Sequence, residues 1–373
     1  MPRPILILGP TAGGKSDFAV DLARQLGAAE IISADSMQVY KHLDAGTAKP
    51  PARLRRRAPH HLIDIVEPSS RFTVAIWLRL AENLLADFDR LRVRPIIVGG
   101  TNLYIKAFLE GLFSNEEDSD DVPGVDEAFR QSLADRTPQQ LHEELKPIDP
   151  AAAQRIHPND RKRLVRALEV HHLTGTPISQ LQTQWGKEKP PSGEAEKPES
   201  HRATEPPSKD SGATSSLGGS VASWLGGFPS SPYRHDPIIL GLHYAAEAIN
   251  PRINLRVKAM FFPEKVEPEL AAEVCPRGES LVDETRRLLD AGVLQPDQQA
   301  AEALGYKQVL QHFQGQMSLD DAFEKTKILT RRFAKQQRTW LRRFQGVHWI
   351  DAANTPRERW VDDVLPRIAA PRK

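Results

Sequence analysis

Gly9-Pro10-Thr11-Ala12-Gly13-Gly14-Lys15-Ser16 fits the pattern G-x-x-x-x-G-K-[ST], the phosphate-binding loop. The octapeptide follows a short apolar run, residues 4–8. It opens a stretch, residues 16–26, with apolar side chains at Phe18, Ala19, Leu22, Ala23 and Leu26. That order of strand, turn and helix is what the mechanism needs. Backbone N–H groups at the helix N-terminus cradle phosphate oxygens, Lys15 supplies a cation, and the Ser16 hydroxyl can ligate Mg²⁺. The motif specifies a diphosphate or triphosphate with its metal and leaves the chemistry open.

Outward from the loop, residues 30–33 and 95–98 are further short apolar runs, with a helical pattern over 74–91 between them. Alternating strands and helices predict a parallel sheet covered on both faces. From about residue 119 the pattern turns helical and polar, through 129–145 and 158–173. Residues 187–232 are crowded with Pro, Ser, Gly, Glu and Lys, so burial there does not offset the entropy of ordering. A strand pattern returns at 237–242, then helical patterns at 280–291, 298–313 and 319–344. The expected architecture is α/β, a P-loop NTPase-like parallel sheet with a helical insertion and a helical C-terminal part. Its divisions are a core of 1–118, an insertion of 119–186, a disordered linker of 187–235, a core continuation of 236–350 carrying basic helices, and a tail of 351–373.

The chain has 373 residues, 50 Lys and Arg against 49 Asp and Glu, and one cysteine, Cys275. A net charge of +1 means that any polyanion-binding surface has to come from local clustering. The lone cysteine excludes an internal disulfide and a cysteine zinc site, and a reducing compartment follows by default. No apolar run approaches the roughly 20 residues that a bilayer needs, and the N-terminal run is too short for a secretory leader. A cytoplasmic monomer without membrane association is the expectation.

A nucleotide hydrolase of this class needs a second strand ending in an acid, but residues 96–98 run into Gly99-Gly100-Thr101. The available acid is Asp35, at the end of the run before it, on the sheet edge where ligands bind in open parallel sheets. A carboxylate beside a bound diphosphate reads as a general base for an attacking nucleophile. Attack on phosphorus would make a small-molecule kinase using ATP, and attack on carbon an alkyl or prenyl transferase. A non-enzymatic alternative is a nucleotide-gated RNA-binding protein. Asp35 also has a plain reading as a helix cap, and so does Thr101 before Asn102. Between 325 and 344 the chain carries Lys325, Lys327, Arg331, Arg332, Lys335, Arg338, Arg342 and Arg343 without one acid. With Arg161, Lys162, Arg163 and Arg166, and with Arg53, Arg55, Arg56 and Arg57, this is the local clustering that a nucleic-acid backbone requires. His60 and His61 near Asp64 lack a third ligand at suitable spacing and read as structural.

Together the motifs resemble those of the bacterial-type tRNA dimethylallyltransferases, also called tRNA isopentenyltransferases. Besides the P-loop, the matching stretches are SADSMQVY (33–40), DAGTAKP (44–50), HHLID (60–64), VGGTNLY (98–104), IHPND (156–160), RALEV (166–170), ALGYK (303–307) and AKQQRTWLR (334–342). The resemblance implies transfer of a dimethylallyl group from dimethylallyl diphosphate to the N6 amine of the adenine 3′ to the anticodon. Gly9 to Ser16 and Arg256 would hold the diphosphate, with Mg²⁺ at Ser16, and Asp35 and Thr101 would be catalytic. It further implies contacts to the tRNA anticodon stem-loop from Asp35, Ser36, Met37 and Gln38, from Lys162, Arg163 and Arg166 in the insertion, and from Gly305, Tyr306 and Lys307. Lys335, Gln336, Gln337, Arg338, Thr339, Trp340 and Arg342 complete that set.

Overall fold

The computed structural model of the chain describes residues 2–112, 125–181 and 232–369. Among these, six strands form one parallel sheet in the order β3-β2-β4-β1-β5-β6. They are β1 (Ile5–Leu8), β2 (Ala29–Ser33), β3 (His60–His61), β4 (Arg94–Val98), β5 (Ile238–His243) and β6 (His348–Asp351). Every β1 side chain is buried, as a strand covered on both faces demands. Register pairs Ile5 with Ile96 on one side and with Ile238 on the other. The turns after β1, β2 and β4 therefore emerge side by side at the C-terminal edge of the sheet.

Local chemistry sets the helix ends. Gly14, at φ 82°, starts the helix Lys15–Leu26 from a left-handed conformation that suits glycine. Thr73 caps Val74–Leu91 by accepting from the Ile76 N–H at 3.2 Å. Ser318 and Asp321 form a reciprocal cap on Leu319–Leu341. Gly99 permits the close crossing of β2 and β4, since a Cβ there would stand 2.1 Å from the Ala34 carbonyl oxygen. Gly99→Ala should cost about 3 kcal/mol, the upper part of the range for overpacking, because backbone and not a side-chain tip must yield. Denaturant midpoints of the two proteins check this.

The chain divides into two compact units, one of residues 1–124 and 231–371, the other of residues 125–230 with the last two residues. The second is helical where described. Leu133, Leu141, Leu145, Leu164 and Leu168 form its core. Glu169 is fully buried there, accepting from Arg130 at 2.7 and 2.8 Å, from Arg166 at 2.7 Å and from the Asp126 N–H at 2.9 Å. Burial pushes its carboxyl up, but these donors outweigh it and hold the pKa below the ordinary value.

The linker expected at 187–235 lies, up to residue 231, outside the described residues. Residues 351–373, expected as a tail, instead carry the helix Arg359–Ala369, with Trp360, Val364 and Ile368 buried in the main core. The Trp360 ring meets Phe18 of the helix Lys15–Leu26 edge-on at 5.7 Å. The three apolar positions are spaced by four but separated by charged residues and Pro366, which obscured the stripe in the sequence.

Candidate active site

A cleft of about 380 Å³ opens at the C-terminal edge of the sheet, entirely within the main unit. One wall is the loop from Thr11 to Ser16. Asp35 and Gln38 enter after β2, Gly99 and Gly100 after β4, and Arg256 from the helix Ala246–Phe261. Phe333 and Gln337 close it from Leu319–Leu341. Sheet topology thus brings together residues more than 200 positions apart.

The Lys15 ammonium donates to the Pro10 carbonyl at 2.8 Å, which holds it over the loop. Desolvation of the ammonium pushes its pKa down to about 8; nearby Asp35 works against this and Arg256 with it. Arg256 is lowered by burial to about 10, opposed by Glu273 and Asp35. Asp35 Oδ1 accepts from the Met37 N–H at 2.9 Å and more weakly from that of Gln38 at 3.4 Å. Oδ2 has no hydrogen-bond partner among the described residues. Burial raises the Asp35 pKa, while the two N–H groups, Lys15 and Arg256 pull it back. One carboxylate oxygen therefore shapes a turn over residues 36–39, where the capping reading expects a helix, and the other stays available to a ligand.

Thr101 occupies the cap position of Asn102–Glu110, yet its side chain makes no cap hydrogen bond. Its Oγ1 instead accepts from the Ser36 N–H at 2.9 Å and donates to Ser36 Oγ at 3.3 Å, fastening the turn that carries Asp35. Gln38 holds the same turn from the other side. Its Oε1 accepts from Ser33 Oγ at 3.0 Å, and its Nε2 donates to the carbonyls of Thr47 and Ala48.

Several residues expected at an RNA surface face inward. Gln337 is 1% exposed: its Oε1 accepts from the Thr11 N–H and its Nε2 donates to the Gly100 carbonyl, both at 2.8 Å. It is a strut between the P-loop and the turn after β4. Tyr306 is fully buried, its hydroxyl donating to Glu284 at 2.5 Å and accepting from the Gly46 N–H at 3.1 Å, and Gly305 is buried beside it. Arg166 is turned to buried Glu169. In each case the residue falls on the inward face of an amphipathic helix or turn, which a motif match does not distinguish from the outward face. By contrast Lys335, Gln336 and Thr339 are exposed on one helix, with exposed Arg342 just past its end, as are Lys162 and Arg163 on another. Met37 and Trp340 are half-buried, Trp340 edge-on to Phe344, and Lys307 pairs with Glu302 at 2.9 Å. Of the arginines at 53–57, Arg53, Arg55 and Arg57 pair with Glu273, Asp64 and Asp21, which reduces that cluster as a polyanion surface.

Sequence reading overlooked Arg252, Glu273 and Tyr244. Arg252 Nε donates to the Ala12 carbonyl at 3.0 Å, and the Tyr244 hydroxyl to that of Gly13 at 3.1 Å. Arg252 stands four residues before Arg256 on one helix, a spacing that could have flagged it. His60 and His61 go to separate partners, the Ala58 carbonyl at 2.8 Å and Glu30 at 2.6 Å.

Fold and site define a P-loop protein in which the loop shares one cleft with a carboxylate held in a hydrogen-bonded turn at the adjoining strand end. A family model described as IPP transferase matches residues 38–204 and 213–344, and one described as isopentenyl transferase matches residues 3–58. The tRNA dimethylallyltransferase of Syntrophobacter fumaroxidans is 38% identical over 353 residues, 94% of this chain and 84% of that protein. That of Geobacter sulfurreducens is 38% identical over 351 residues, 93% and 91% of the two chains. The solved tRNA isopentenylpyrophosphate transferase of Bacillus halodurans superposes with a TM-score of 0.59 at 29% identity, covering 99% of this chain and 96% of that one. The chain belongs to the tRNA dimethylallyltransferase family, and it is a transferase. That membership sets aside the kinase reading. No helix among the described residues is long and apolar enough to cross a membrane.

Proposed function

We propose that the protein transfers a dimethylallyl group from dimethylallyl diphosphate to the N6 amine of the adenine 3′ to the anticodon of tRNA, with the cleft as its active site. The observation that carries this is Asp35, its Oδ1 engaged in the turn and its Oδ2 without a hydrogen-bond partner among the described residues, lining one cleft with the P-loop, Lys15 and Arg256. In the reaction the C1–O bond of the donor breaks, a bond from N6 to C1 forms, the N6 proton passes to Asp35, and diphosphate leaves. An exocyclic amine is a poor nucleophile, so proton removal by a carboxylate with a raised pKa assists it. Lys15, Arg256 and the loop N–H groups take up the charge that develops on the leaving diphosphate. Thr101 acts through its hydrogen bonds to Ser36, which keep Asp35 in place. Ser16 lines the cleft, and its hydroxyl would hold a Mg²⁺ ion bound together with diphosphate, a neutral oxygen donor of the kind that suits this hard cation. Bound there, Mg²⁺ would neutralise diphosphate charge. The exposed Lys335 and Arg342 supply phosphate contacts for the RNA acceptor.

Transfer of radiolabel from dimethylallyl diphosphate to precipitable tRNA, with an equivalent of diphosphate released, tests the proposal. Label transfer supports it; no transfer from a folded protein overturns it. A pH profile tests the charge states. Asp35 works unprotonated, so with a raised pKa the acid limb of kcat/KM lies above the ordinary carboxylate range. Lys15 works protonated, so kcat/KM for the donor should fall above a pH of about 8. Lys15→Arg should move that alkaline limb upward, because a guanidinium keeps its charge.

A further inference from the structure

A second, smaller pocket of about 170 Å³ lies on the other side of the P-loop from the cleft, lined by Pro10, Leu242, His243, Arg338, Leu341, Arg342 and Trp349. Pro10 forms part of this pocket and Thr11 part of the cleft, so one loop separates the two. The helix Leu319–Leu341 divides likewise, with Phe333 and Gln337 toward the cleft and Arg338 and Leu341 toward the pocket. The volume falls below the roughly 300 Å³ of typical small-molecule sites and suits one planar ring system.

Its walls have an unusual composition for a surface dimple. Trp349, on the edge strand β6, is 38% exposed. It packs over Gly241, where a Cβ would stand 2.5 Å from its ring, so the absence of a side chain at 241 is what lets the indole lie down there. His243 meets it edge-on at 6.4 Å and is itself exposed. Arg338 is anchored by Nη1 to the Tyr244 carbonyl at 3.1 Å, while its Nε is buried without a hydrogen-bond partner. A buried guanidinium N–H without an acceptor is costly, and Arg338 carries one such group although the side chain as a whole is only half-buried. Arg342 stands exposed at the rim. An open aromatic face, apolar flanks and two arginines make up the chemistry that receives an unstacked base with its phosphate.

We propose that this pocket is a second nucleobase site, which takes the base of a nucleotide flanking the reacting adenine, stacked on Trp349 with its phosphate toward Arg338 and Arg342. The inference rests on the reading of an RNA acceptor given above. It accounts for how a target adenine stays extruded: a neighbour stacked on protein replaces part of the stacking that extrusion loses.

Equilibrium binding of an unmodified anticodon stem-loop RNA, without prenyl donor and at fixed salt, tests it, using the full chain and a series of RNAs abasic at each loop position. In the wild-type protein one abasic position besides the target adenine should weaken binding by about tenfold. Trp349→Ala should weaken binding of intact RNA by a similar factor and lose nothing more at that abasic position, while Trp349→Phe should retain most of the affinity. Wild-type affinity in Trp349→Ala, or losses that multiply between variant and abasic RNA, would overturn the proposal. Should Trp349→Ala fail to fold, the wild-type abasic series decides, and sensitivity at the target adenine alone counts against the pocket. Transfer to intact RNA is measured in parallel. Its absence with the binding pattern intact would tell against the proposed activity and leave the second site standing.

Discussion

Asp35→Asn should lower the rate constant for transfer by about 100- to 10,000-fold, the range for loss of a positioned general base, with the KM for the prenyl donor little changed. The asparagine carbonyl can still accept from the Met37 N–H, the bond that shapes the turn at 2.9 Å. Thr101 still holds Ser36 from the opposite side. The variant therefore removes the proton acceptor and keeps the local geometry. Asp35→Ala removes both, so any additional loss in that variant measures what the turn contributes. Single-turnover kinetics at saturating donor and tRNA separate the chemical step from binding. Equal losses in donor affinity and in rate would instead mean that Asp35 serves the diphosphate site as a whole.

Lys15→Met should reduce kcat/KM for the donor by about 100- to 1,000-fold, comparable to removal of one preorganised donor from a developing anion. Methionine keeps most of the aliphatic stem and drops only the ammonium, so the cradle loses charge with little change in packing. Both ground-state binding and the transition state should suffer, since the diphosphate is charged before and more so after C–O cleavage. The companion Arg256→Met should act in the same direction, and the two losses should not add, because the cations face one carboxylate and one ligand. Inhibition by diphosphate itself should weaken in parallel. A variant that kept wild-type diphosphate affinity would place Lys15 outside the cradle.

The legible parts of this molecule were those where a local rule forces the outcome. The octapeptide at 9–16 carries its own strand and helix context, and the run IIS before Asp35 ends a strand that must be buried, so sheet and cleft followed from short segments. Gly99 and Gly100 were read only as the absence of an acid; their role in close approach needed the paired strands. β3 is two residues long and β6 has only Trp349 and Ile350 between His348 and Asp351, which gave neither a run to detect. Residue facing was the hardest to read. Gln337 and Arg338 are neighbours in one motif, yet one is an internal strut and the other lines a pocket beyond the loop. Tyr306 looks like a surface aromatic beside Lys307, and is buried because Glu284, 22 residues earlier in sequence, accepts its hydroxyl. Such partners come from tertiary placement and leave no local trace.

The central claim is that the anion in this cleft is a prenyl diphosphate and the acceptor an RNA adenine. Purified protein incubated with unmodified tRNA, Mg²⁺ and dimethylallyl diphosphate, followed by mass spectrometry of the digested nucleosides and of anticodon-loop fragments, addresses it directly; ATP replaces the prenyl donor in a parallel reaction. A dimethylallyl increment on the adenosine 3′ to the anticodon, present only with the prenyl donor and absent with Asp35→Asn, is the expected result. Unmodified adenosine throughout, with ATP consumed in the parallel reaction, would contradict it.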